Sequence, residues 1–161
     1  MPWHSPDSKI ETVLAEYFAQ ADGNELSGYV YQTRFDLTRG GANPEVRIVC
    51  DEIEEWQPGG EQTVEPSGNW TCAVSITLRT PVGRKDKAGQ KQRHEQAVAR
   101  IMDLIYETTF EAQLNEVATD HEVQVFQARV TGKQNELDDD TKRFSSMIEM
   151  NANVVPHVTG Q

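Results

Sequence analysis

The sequence has few of the features that announce chemistry. It contains only two cysteines, Cys50 and Cys72, and no apolar run near the 18 residues a membrane-spanning helix requires. Basic residues are scarce: 15 Lys and Arg stand against 26 Asp and Glu, giving a net charge of −11. A mean field of that sign repels phosphate, which disfavours wrapping of nucleic acid by counterion release. An acidic wall around a passage, past which DNA moves without sticking, is compatible with it. Aromatic residues make up 7% and apolar residues 37%, a low share that implies long polar loops or surface covered only in an assembly. The opening Met1-Pro2-Trp3-His4-Ser5-Pro6 has neither the basic region nor the apolar core of a signal peptide. Without a secretion signal, two cysteines at inward strand positions read as small core residues, against a disulfide or metal pair. The Asn69-Trp70-Thr71 sequon then reads as chance.

Catalytic signatures are missing as well. No serine or cysteine sits in a G-x-S-x-G elbow, and Gly83 to Gly89 lacks the Gly-Lys-Ser/Thr of a phosphate loop. His94-Glu95 begins a zinc-protease pattern, but the second histidine it needs is replaced by Val98. The acidic run Glu136-Leu137-Asp138-Asp139-Asp140 lacks the glycine and carboxylate spacing of an EF-hand. It reads as a solvated tip, and Asp51, Glu52, Glu54 and Glu55 as a charged strand end. The alternative is that Asp51, Glu52 and Asp138 to Asp140 together form the metal site of a small hydrolase.

What is present is strong patterning. Trp70, Cys72, Val74, Ile76 and Leu78 alternate with small or polar residues, predicting a strand with one buried face. Val46, Ile48 and Cys50 predict another strand, paired with it as a hairpin around a Pro- and Gly-rich loop from Glu54 to Gly68. Tyr29 to Phe35 reads as a strand or extended arm. A helix from Ser8 to Gln20 is signalled by the capping box Ser8 to Glu11 and the stripe Ile10, Val13, Leu14, Tyr17, Phe18.

The main helix is expected over Lys91 to Thr109. Val98, Ile101, Met102, Ile105 and Leu104 form its core stripe, His94 lies on another face, and a short piece around Phe110 to Val117 continues it. A strand at Glu122 to Val130, covered on both faces or bulged, leads into a loop over Thr131 to Thr141. The last strand runs from Phe144 to Val154, and residues 1–7 and 156–161 are expected to be loose ends. The order α-β-β-β-α-β-β implies a single α+β domain over 1–161. It has an antiparallel or mixed sheet of about five strands, with an N-terminal helix and one long helix packed on it.

Charge is unevenly placed. Arg84, Lys85, Lys87, Lys91 and Arg93 fall within ten positions of an acidic chain. Such a segment is a solvated loop, a contact to the acidic patch of a neighbouring copy, or a transient contact to DNA.

The element order and texture resemble the tail-terminator and tail-completion proteins of long-tailed bacteriophages and their head-to-tail connector relatives. The resemblance runs over residues 8 to 155. It is carried by Ile48-Val49-Cys50-Asp51-Glu52, the strand at Trp70, the helix around His94-Glu95-Gln96-Ala97-Val98-Ala99-Arg100-Ile101-Met102-Asp103-Leu104, the Leu114 segment and the two last strands. It implies a virion protein without catalytic residues or cofactor, assembled in the host cytoplasm. The partners it implies are further copies in a six-membered ring, the tail tube protein, and head or neck connector proteins, with DNA passing through the lumen unbound and no membrane. A neck or head-closure connector is the alternative. Asp51, Glu52, Glu54, Glu55, Arg84, Lys85, Lys87, Asp138, Asp139 and Asp140 are then the candidate lumen or interface charges. The polar 54–69 insertion and the Tyr29 to Phe35 segment depart from the pattern.

Overall fold

A computed structural model describes residues 3–21, 23–34, 43–55, 68–82, 87–138 and 143–157, with backbone only at 136–138. The fold is α+β. Helix α1 (Pro6–Gln20) leads to strands β1 (Val30–Thr33), β2 (Glu45–Glu55) and β3 (Trp70–Pro81). Helices α2 (Lys87–Tyr106) and α3 (Phe110–Thr119) follow, then β4 (Val123–Asp138) and β5 (Arg143–Pro156). The strands form one mixed sheet in the order β1-β2-β3-β5-β4, parallel only at β1–β2.

The alternation expected of β3 is present: Cys72, Val74, Ile76 and Leu78 are buried, and Trp70 is half-buried at the strand end. Their row continues through Val46, Ile48 and Cys50 on one side and Ile148, Met150, Ala152 and Val154 on the other. The three helices cover this face, and the α1 stripe Ile10, Val13, Leu14, Tyr17 and Phe18 is buried with it. Both cysteines are free and buried. A hydrogen bond with Cys50, and then burial, push the Cys72 thiol well above its ordinary pKa, so it stays protonated.

Several expectations are corrected. The first helix starts earlier than the capping box suggests, because Pro6 is preorganised for the first turn. Ser8 therefore lies inside the helix, its N–H donating to Asp7 Oδ1 (2.9 Å). Glu11 is buried against the sheet instead of reaching back to the helix start. Phe110 begins a separate helix, α3. The loop expected over Thr131 to Thr141 is strand as far as Asp138, paired with β5 down to Asp138 opposite Arg143. Polar residues there follow from an edge position with little cover, not from a turn. The bulge expected in this strand is real. The register shifts between Phe126 and Arg129 and again between Val130 and Gly132, with Gln127 at φ 53°.

The ends expected to be loose make definite contacts where they are described. Trp3 meets Trp70 edge-on at 5.4 Å, His4 Nε2 lies 2.7 Å from the Gly68 carbonyl, and the His157 N–H donates to the Glu122 carbonyl at 2.8 Å.

Candidate functional site

A groove of about 910 Å³ lies between α2 and the outer halves of β4 and β5. Among the described residues, α2 covers β3 and α3 covers the start of β4, leaving the inward face of the β4–β5 hairpin open near Phe144. Val98, Ala99, Met102 and Phe144 give it an apolar floor, while Lys87, Lys91 and Lys133 stand around it with Glu95. Its size and apolar character match those of binding sites.

A hydrogen-bonded chain crosses the inner end of the groove. Tyr29 Oη lies 2.6 Å from Thr80 Oγ1, and Thr80 Oγ1 lies 2.7 Å from His94 Nδ1. His94 Nε2 lies 2.8 Å from Ser146 Oγ, whose hydroxyl donates to Asn135 Oδ1 at 2.8 Å. That last bond sets the direction of the others. Because the Ser146 proton goes to Asn135, Nε2–H donates to Ser146, and Nδ1 accepts from Thr80, which in turn accepts from Tyr29. His94 is thus neutral, and burial lowers its pKa from 6.5 to about 4. Glu95 opposes that shift and Lys133 adds to it. The chain braces α2 to β3, β5 and β4. In this arrangement His94 donates to Ser146 instead of drawing its proton, so the serine is not activated as a nucleophile.

Sequence reasoning placed His94 off the core stripe, yet it is 5% exposed. The readable signal was a pair of polar residues, Thr80 and Ser146, at inward positions of two alternating strands. Those positions demand a polar partner from whatever helix covers them.

Two buried ionic nodes lie elsewhere. Glu11, 1% exposed, accepts from the Cys50 N–H (2.9 Å), the Arg34 N–H (3.0 Å) and the Arg34 guanidinium (2.8 Å). On the opposite face of the sheet, Glu45 gathers Arg143 (2.7 Å), Arg47 (3.1 Å) and Arg79 (3.7 Å) from three strands. Neither node was foreseen, since each joins residues remote in sequence.

Among the expected charges, Asp51 is exposed and accepts from the Ser75 hydroxyl. Glu52, Glu54 and Glu55 are exposed along the outer half of β2. Lys87 opens α2 at the groove rim. Asp138 closes β4, while Arg84, Lys85, Asp139 and Asp140 lie outside the described residues. The two acidic groups are not brought together. Asp51 lies in the bulge facing Val74 and Ala73, whereas Asp138 is in register with Arg143, itself opposite Pro81. That offset along the sheet is about 25 Å, beyond any shared cation. No group of three metal-ligating side chains occurs among the described residues.

The chain matches no protein-family model and no curated protein.

Two ends of the sheet differ in charge. Toward the Trp70 end, β2 carries the exposed carboxylates Asp51, Glu52, Glu54 and Glu55, and the sequence from Ile48 to Leu78 contains no lysine or arginine. At the other end Arg47, Arg79 and Arg143 stand around Glu45, and the three groove lysines stand beside Glu95, with Glu136 and Asp138 in register with Ser145 and Arg143.

Proposed function

We propose that this chain is a structural subunit of a tailed-bacteriophage particle. It acts as a tail terminator that caps the tail tube and joins tail to head as a ring, with six copies as the expected number. The observation that carries this reading is the opposed charge at the two ends of one rigid sheet. A subunit that is acidic at one end and lysine-rimmed at the other is complementary to a copy of itself placed head to tail, and such heterologous contacts close into rings. The resemblance in element order supplies the place in the particle, with the tail tube protein below and a head or neck connector above. The net charge of −11 supports a lumen past which DNA moves without binding.

Mass photometry across a concentration series tests the reading. A discrete ring-sized species is the expected result, and a strict monomer even in the presence of tail tubes contradicts it. Because the contact is electrostatic, raising salt from 50 mM to 1 M shortens the screening length from about 14 Å to about 3 Å and shifts the ring toward subunits.

A further inference from the structure

We infer that the groove between α2 and β4–β5 receives the acidic β2–β3 segment of a second copy, with Trp56 as its apolar anchor. This inference rests on the ring reading and names its interface.

Complementarity is the first argument. The segment carries Glu52, Glu54 and Glu55 immediately before Trp56, and Glu61 and Glu65 after it. The groove pairs an apolar floor with Lys87, Lys91 and Lys133, and Glu95 is the one acid among its described lining residues. An aromatic side chain flanked by carboxylates suits an apolar cleft flanked by ammonium groups, the aromatic supplying area and the charges supplying orientation.

Reach is the second argument. Residues 56–67 are tethered to Glu55 and Gly68, at the end of the sheet where Glu55 pairs with Trp70. Twelve residues running out and back extend at most about 21 Å from that end. Phe144 pairs with Thr80, ten positions along β3 from Trp70, or about 33 Å. Lys133 stands level with Ile148 and Ile76, only about 20 Å from Trp70, but the Phe144 floor lies beyond the segment's reach, so seating Trp56 on that floor takes a second copy. Giving at one end and receiving at the other makes the contact heterologous, the type that propagates around a ring.

The test mixes copies of light and heavy isotope composition and joins lysine to carboxylate with a zero-length carbodiimide. Light-to-heavy links from Lys87, Lys91 or Lys133 to the 52–65 carboxylates are expected. Lys91→Glu with Lys133→Glu is expected to weaken assembly at least tenfold, as is Glu54→Lys with Glu55→Lys. All four changes in one chain restore it, because every interface again pairs opposite charges. Trp56→Ala is expected to weaken assembly at least tenfold without charge change. The substituted lysines and glutamates are exposed, so an unchanged circular dichroism spectrum certifies the fold of each variant.

Rings that persist in Lys91→Glu with Lys133→Glu, with links through other residues, overturn the groove contact and leave the ring reading standing. Links to these lysines confined to a single copy, as from the 136–140 tip, also overturn it. A monomer under all conditions overturns both.

Discussion

His94 and Glu11 show how a single side chain can hold elements together without exposing any chemistry. His94 is neutral in the folded state, with its pKa lowered to about 4, whereas the unfolded chain titrates near 6.5. Between those values the unfolded state binds more protons. The stability due to this group is therefore complete above pH 6.5 and is lost as pH falls toward 4. Urea titrations at pH 7.5 and 4.5 are expected to show this loss, amounting to about 3 kcal/mol at most. His94→Phe is expected to flatten this part of the pH dependence while lowering stability at pH 7.5, since Thr80 and Ser146 lose a partner. Glu11→Ala leaves the buried Cys50 N–H without its acceptor and strips the Arg34 guanidinium of its carboxylate, leaving it the Cys50 carbonyl. It should cost about 3 kcal/mol, read as a lowered urea midpoint, and Glu11→Gln, which keeps the acceptor but not the charge, should cost less.

At the scale of elements, the sheet's exposed edge is managed where β4 begins. Asn115 of α3 donates to the Val125 carbonyl (2.9 Å) and accepts the Val125 N–H (2.7 Å), occupying the place a neighbouring strand would take. Asn115→Ala is expected to cost about 2 kcal/mol in urea denaturation and to speed hydrogen exchange at Val125.

This scale also shows what the sequence conveyed and what it withheld. Strands β2, β3 and β5 were readable because each has one buried face, which writes period two directly into the residues. The α1 stripe was readable for the same reason at helical spacing. The far half of β4 was not, because Lys133 and Asn135 face a groove and not a packed core, so polarity there imitates a loop. The capping box misled because Glu11 answers to Cys50 and Arg34, remote partners that outweigh a local hydrogen bond. The groove itself was legible only in part. Lys87 was singled out as a charge and Val98 and Met102 as core, but nothing local says that these residues share a cleft with Lys133 and Phe144.

Across the whole molecule, the sheet works as a rigid spacer between two differently charged ends. Under the proposed ring, its length holds the Phe144 floor of the groove out of reach of the chain's own acidic segment, so that this contact forms between copies. The low apolar share fits that proposal, in which neighbours supply part of the covering surface. Native mass spectrometry at micromolar concentration tests the central claim, ring assembly, most directly. A closed species of about 109 kDa, six copies of the 18.1 kDa chain, is the predicted result. A chain that remains at 18.1 kDa at every concentration, with purified tail tubes present, contradicts it.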